Sequence, residues 1–452
     1  MRPYTTTSDL SNYHSLLSGD LSGIQDFIFN IQSEGAAKTL KARSFYVQAL
    51  SELCLAMIEK ELGAVSCLLF YNGGGNFYVF CTALSEQQLG DLRKAVQSNL
   101  ADLEIYLSLS VTRLNTAQFR DTWAELHRQS NQDKLRKFAA FPHALTVPKR
   151  YQTDNWKKFV KVLTMHKGFR IQPAAETDAR ISEDCVSEFG YRFDLTNQNK
   201  QFEGSIQNKL PEWTDGLLAE HADYVAKLNA RNKSKDPETK AIKKRDIIEF
   251  ETFGHFAHTR TGTDKIAVLK MDADGLGDLF LQINDVVTIK QVSDALKNFF
   301  DQQLYQIWSD EKGFEYTTWD SKNEPTQRAL FSENIYVVFA GGDDCLMIGA
   351  WDAVFEFAER IQSAFENFGE LKKIGLSKTL TISASLTILD SKFPVVRMGA
   401  LADDALTAAK YAVPDEKNRI SVFNRILTWE EFRKARKIAF GLETSIKNEK
   451  EP

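Results

Sequence analysis

The chain lacks the features that would place it in several broad classes. Its five cysteines (Cys54, Cys67, Cys81, Cys185 and Cys345) are scattered without a CxxC pair, so they spell neither a zinc framework nor a disulfide pattern. A reducing, cytoplasmic setting is expected, with most of these thiols acting as small core residues. No basic-then-apolar signal opens the chain and no apolar run approaches membrane-spanning length, so no membrane partner is expected. Positive charge is not in excess. The 56 Lys and Arg face 61 Asp and Glu, a net charge of −5, which argues against gripping nucleic acid alone through bulk charge. None of the seven histidines is followed by aspartate.

What is present is a normal globular composition. The 452 residues are 43% hydrophobic, enough for sizeable cores and about three domains. The rest is organised around the run from Asn334 to Gly349, where two apolar, β-prone segments flank Gly341-Gly342-Asp343-Asp344. That pattern reads as a hairpin with two carboxylates at its tip. Adjacent carboxylates raise each other's pKa unless a cation neutralises them, and oxygen-only donors favour Mg²⁺ or Mn²⁺. Alone, such a motif also fits a solvated polar turn.

It is not alone. The run from Lys265 to Met271 reads as a buried strand leading into Asp272-Ala273-Asp274-Gly275. A strand end carrying Asp272 beside a tip carrying Asp343 and Asp344 is how nucleotidyl-transferring palm domains assemble a two-metal site. One ion lowers the pKa of the attacking hydroxyl; the other steadies the triphosphate and the leaving pyrophosphate.

Taken in order, the chain presents strand, helix, hairpin, helix, strand, and then presents that order again. In the first copy, the Gly19–Gly23 strand end precedes a helix from Gly35 to Leu62. A hairpin around Gly73-Gly74-Gly75-Asn76 follows, and then a strand in which Ile105, Leu107, Leu109 and Val111 alternate with polar residues, a half-buried pattern. In the second, Leu380, Ile382, Ala384, Leu386 and Ile388 alternate in the same way. Asp20 aligns with Asp272, and Gly75 and Asn76 with Asp343 and Asp344. This is a degenerate internal duplication, whose first copy lacks the paired carboxylates but can still hold a nucleotide.

The fold class expected is α+β, with two ferredoxin-like (βαββαβ), nucleotide-cyclase-like palm domains and a mixed connector. The divisions are 1–120 for the first palm, 121–260 for the connector, 261–427 for the second palm and 428–452 for a C-terminal helix. Lys38, Lys41 and Arg43 read as a solvated face, with phosphate contact a second reading. Basic and aromatic residues of 121–170 (Trp123, Arg128, Arg150, Trp156, Lys157, Lys158) suit either RNA stacking or packing.

These residues together resemble a known family, the large palm-domain subunit of type III CRISPR interference complexes. The resemblance rests on Gly19-Asp20-Leu21-Ser22-Gly23, Arg43-Ser44-Phe45-Tyr46, Gly73-Gly74-Gly75-Asn76-Phe77, Asp272-Ala273-Asp274-Gly275, Gly341-Gly342-Asp343-Asp344 and Lys410 with Lys417-Asn418. It implies that ATP is joined into cyclic oligoadenylates with release of pyrophosphate when a guide RNA in the complex pairs with target RNA. The implied partners are the other subunits, guide RNA and target RNA. Asp272, Asp343 and Asp344 would be catalytic and bind two Mg²⁺ or Mn²⁺ ions, with Asp274 a further ligand. Nucleotide contacts would fall to Gly341, Gly342, Ala273, Ser383, Lys410, Lys417, Ser22, Gly23, Gly73 and Gly74. Members often begin with an HD nuclease domain and often carry a four-cysteine zinc module. With neither pattern here, a reduced version without DNase activity is expected. Three readings compete: a silent scaffold subunit, a GGDEF-like cyclase acting on GTP, and AMP transfer to another acceptor.

Overall fold

The computed structural model describes residues 1–31, 35–100, 105–137, 170–173, 185–188, 191–194, 205–206, 209–319, 326–376, 379–414 and 416–449. Arg150, Trp156, Lys157 and Lys158 lie outside them. The first unit contains β1 (Arg2–Pro3), β2 (Ser15–Ser22), α1 (Ile24–Phe29), α2 (Ala36–Leu62), β3 (Cys67–Gly73), β4 (Asn76–Cys81), α3 (Glu86–Leu100), β5 (Tyr106–Arg113) and α4 (Phe119–Lys134). Its strands lie in the order β1-β3-β4-β2-β5.

A small sheet of β6 (Arg170–Pro173), β7 (Cys185–Glu188) and β8 (Tyr191–Asp194) follows. The second unit is built on β9 (Lys265–Ala273). The chain then forms the Val286–Asn298 helix, which runs through a π turn into Leu304–Trp308, and a short ribbon of β10 (Phe314–Tyr316) and β11 (Gln327–Ala329). Next come β12 (Ile335–Gly341), β13 (Asp344–Ala350), the Trp351–Glu366 helix, β14 (Ile382–Asp390), the Met398–Tyr411 helix, β15 (Arg419–Val422), β16 (Arg425–Thr428) and the Trp429–Glu449 helix. The sheet order is β12-β13-β9-β14-β15-β16. Without β1, the first sheet reads β5-β2-β4-β3; without β15 and β16, the second reads β14-β9-β13-β12. Both are the strand order of a ferredoxin-like unit.

Alternation along β5 and β14 leads to the expectation of one solvated face. Both faces are covered instead. Ser108, Ser110, Ser383 and Ser385 are buried, because α4 and the Met398–Tyr411 helix lie over them. Two of the buried hydroxyls find acceptors on those helices: Ser108 Oγ donates to Ser130 O at 3.3 Å and Ser385 Oγ to Ala402 O at 2.8 Å. Serine therefore marks a polar but dry face, which periodicity alone reads as exposed.

Helix α2 is buried almost all round, as a helix wedged between two sheets must be. Here the expectation of a solvated basic face fails for two of three residues. Lys38 is exposed. Lys41 is fully buried and donates to Val337 O at 2.8 Å, while Arg43 donates to Phe27 O at 2.7 Å and Asn30 O at 2.6 Å. Ser44 Oγ donates to Val338 O at 2.6 Å, and Tyr336 Oη returns a bond to Ala37 O at 2.7 Å. The register of β12 on β13 shifts between Val337 and Phe339, and that bulge frees the carbonyls that α2 satisfies. The relation is reciprocal, since Lys297 Nζ at the end of the Val286–Asn298 helix donates to Asn72 O at 3.1 Å, beside the corresponding shift in β3. Each half thus lays a helix against a strand of the other, α2 on β12 and the Val286–Asn298 helix on β3. Trp123 is core, 4.7 Å from the Tyr78 ring and 5.4 Å from the Phe280 ring, so packing accounts for it.

Candidate active site

Asp272 is the penultimate residue of β9, and Asp344 begins β13 directly opposite it in the antiparallel register. Cross-strand partners share a face, with Cβ atoms about 5 Å apart. Asp343 sits in the intervening turn, and its carbonyl accepts from Ala273 N at 2.9 Å, tying the tip to the strand end. The first unit makes the same bond at the matching place, from Leu21 N to Gly75 O at 3.0 Å. Gly342, at the first position of its turn, has a φ of +69°, which a two-residue hairpin with glycine there requires.

Three carboxylates so placed resist ionisation. Burial, followed by the charge of Asp272, pushes Asp343 up to about 6. Burial with the charges of Asp343 and Asp272 holds Asp344 well above the usual carboxylate range. Asp272 is raised by burial, against the pull of Lys410, whose ammonium pairs with it.

Asp274 has a different setting. Its Oδ2 accepts from Thr381 Oγ1 at 2.9 Å, Ser383 Oγ at 2.9 Å and Asn418 N at 3.0 Å. Its Oδ1 is buried without a hydrogen-bond partner, 4.0 Å from Lys410 Nζ. All these donors are hard oxygens, and one buried oxygen is unsatisfied, so the chemistry suits Mg²⁺ or Mn²⁺. Among the described residues, however, no three acidic, histidine or cysteine side chains come together as a finished cage. Lys410 supplies the positive charge beside Asp272.

Next to this cluster, a cavity of about 450 Å³ opens between the two halves. Gly73, Gly74 and Gly75 line it from the first half, and Gly341, Gly342 and Asp344 from the second, with Ser51, Glu52 and Lys297 also in its wall.

Two family models match the chain: the Csm1 subunit domain B over residues 13–150, and the second palm domain of Cas10/Cmr2 over residues 265–421. The chain resembles the Cas10/Csm1 family in both of its halves. The Cas10/Csm1 protein of Methanocaldococcus jannaschii, named a single-strand-specific deoxyribonuclease of subtype III-A, is 28% identical over 92% of this chain and 60% of its own length. The protein of that name from Thermococcus onnurineus is 26% identical over 91% of this chain and 55% of its own. The chain therefore spans little more than half the length of these relatives. Solved Csm1–Csm4 cassettes in complex with AMPPNP and with cA4 share the fold, each with a TM-score of 0.65 and 22% identity over 94% of this chain and 57% of theirs.

Of the residues singled out in the sequence, the structure brings Asp272, Asp343, Asp344, Ala273 and Lys410 together. It sets Gly73, Gly74, Gly341 and Gly342 around one cavity. Ser383 departs from expectation. It is fully buried and donates to Asp274, so it positions that carboxylate instead of facing a nucleotide. On the first half, Ser22 ends β2 and Gly23 precedes α1, and Lys417 lies half-buried before β15. Sequence reasoning missed the ion pair of Lys134 with Asp20, which repeats that of Lys410 with Asp272 at the end of the corresponding helix. Both lysines lie at the end of the helix that follows the fourth strand of the ferredoxin-like order, α4 after β5 and the Met398–Tyr411 helix after β14, a spacing visible only once the two copies are aligned to that point. No helix among the described residues is long and apolar enough to cross a membrane.

Proposed function

We propose that this chain acts as the large subunit of a type III CRISPR effector and joins ATP molecules into cyclic oligoadenylates when the guide RNA pairs with target RNA. The observation that carries this reading is the meeting of two unlike halves around one cavity, with an acidic cluster on the second half only. One half presents a nucleotide and the other performs the transfer. A 3′-hydroxyl attacks an α-phosphorus, a P–O bond forms, and pyrophosphate leaves with the old bond's electron pair. Asp272, Asp343 and Asp344 would hold two Mg²⁺ or Mn²⁺ ions, which would supply charge neutralisation and hydroxyl activation. Glycines at both tips leave room for triphosphate backbones to approach. Lys410 and Lys417 would neutralise phosphate charge. Asp274 accepts from the Asn418 amide and so holds the residue that follows Lys417.

The partners proposed are the other subunits of a Csm-type complex, among them a Csm4-like protein, with guide and target RNA, in a reducing cytoplasm. The deoxyribonuclease activity in the relatives' name is not assigned to this stretch, which contains no His-Asp dipeptide. Incubation of the purified chain with ATP and Mg²⁺, with and without its complex and target RNA, followed by mass spectrometry, tests the reading. Cyclic adenylates of RNA-dependent yield support it. AMP attached to another acceptor, a product from GTP, or no product with the full complex and target RNA present refutes it.

A further inference from the structure

We propose that Lys410 is a built-in counter-ion that a divalent cation must displace from Asp272, linking metal loading to triphosphate binding through one lysine. The inference rests on the metal-dependent reading above and concerns its regulation.

Lys410 Nζ pairs with Asp272 and lies 4.0 Å from Asp274 Oδ1. The latter oxygen is buried and has no hydrogen-bond partner, although Oδ2 of the same carboxylate accepts from three donors. A buried anionic oxygen without a donor is costly, and a neighbouring cation relieves it. One ammonium thus serves two carboxylates at the spot where a hard cation would sit. Lys270, the other ammonium on this face of β9, is held by Asp403.

The first half provides an internal comparison. There Lys134 pairs with Asp20 at the matching place, but Gly75 and Asn76 stand where the second half has Asp343 and Asp344. Without further carboxylates, nothing competes with Lys134, and the pair is permanent. In the second half, Asp343 and Asp344 add carboxyl oxygens beside Asp272 that one ammonium does not satisfy together, and an entering divalent cation does. Lys410, released on the last turn of its helix, then donates to phosphate oxygens, which an ammonium binds as a point charge. Cation entry and phosphate capture are therefore favourable together.

Mn²⁺ binding to the nucleotide-free chain, followed through the spectrum of the free ion by electron paramagnetic resonance, tests this directly. Lys410→Met should bind its first Mn²⁺ about tenfold tighter than wild type or more, since the competing charge is gone. Lys410→Arg and Lys134→Met should stay near wild type. Unchanged or weaker binding in Lys410→Met, or equal tightening in Lys134→Met, overturns the proposal; Lys410→Gln replaces Lys410→Met if that variant does not fold. Asp272→Asn binding Mn²⁺ as tightly as wild type would instead remove the metal reading on which the proposal stands. The reciprocal arm uses a labelled non-hydrolysable ATP analogue in EDTA. Asp272→Asn frees Lys410 and should bind the analogue several-fold tighter, a gain absent from Asp272→Asn/Lys410→Met. Persistence of the gain in the double variant assigns it to lost carboxylate charge and overturns the link.

Discussion

Gly74 and Gly342 meet where the two halves of the molecule face each other. A methyl carbon built on Gly74 would lie 3.7 Å from Gly342 Cα, and one on Gly342 would lie 3.6 Å from Gly74 Cα and 3.4 Å from the Tyr71 hydroxyl. The hairpin tips touch through backbone, with no side chain between them, and this closeness sets the width of the cavity beside them.

Gly342→Val adds a β-branched side chain at a φ of +69°. The left-handed conformation alone costs an L-residue about 1–2 kcal/mol, and the added methyls push the tips apart. Product formation should fall about a hundredfold or more, the scale of a 1 Å misplacement of reacting groups. Gly90→Ala is the control: its added carbon would meet nothing within 4 Å on an exposed helix face, and thermal melting should show a gain of about 0.5–1 kcal/mol.

Asp343→Ala with Asp344→Ala should abolish product while the chain still folds. Both carboxylates are raised by burial and by neighbouring charge, so removing them relieves repulsion. The expected result is a melting temperature at or above wild type with no adenylate product by mass spectrometry. Retained synthesis would refute the site.

Lys41 gives stability a dependence on alkaline pH. Burial lowers its pKa from 10.5 to about 7 in the folded chain. Between those values the unfolded chain holds a proton that the folded chain has shed, so stability rises as pH increases from about 7 towards 10.5. Below that window the desolvation penalty is fully present. Lys41→Met removes the term, so the stability difference between wild type and variant should shift in favour of wild type with rising pH. Chemical denaturation at pH 7, 8.5 and 10 measures it, and a pH-independent difference would contradict the account.

Asp274→Ala strips the acceptor from Thr381, Ser383 and the Asn418 amide, the last in a residue with a φ of +64°. Hydrogen bonds to a charged acceptor are worth about 1.5–3 kcal/mol each, so a loss of about 2 kcal/mol or more is expected in denaturant unfolding. Activity should fall further than stability explains, because the Asn418 loop follows Lys417. Full activity at a temperature where the variant is folded would show that the loop has no part in the reaction.

The sequence alone carried the strand and helix order of both halves, because apolar periodicity and the Gly-Gly tips are local signals. It also carried the acidic trio, since strand ends and hairpin tips can be read without knowing what lies beside them. Three things came only with the tertiary structure. Lys41 and Arg43 look like a solvated face because their acceptors, the bulged carbonyl of Val337 and the carbonyls of Phe27 and Asn30, become available only when the chain is folded. Ser383 looks like a ligand contact until the Met398–Tyr411 helix covers its strand. The pairing of Lys410 with Asp272 joins residues 138 positions apart, and no local pattern records a charge pair that only the docking of a helix on a sheet creates. Local propensity determined which elements form, and the burial of polar groups between them decided what those groups do.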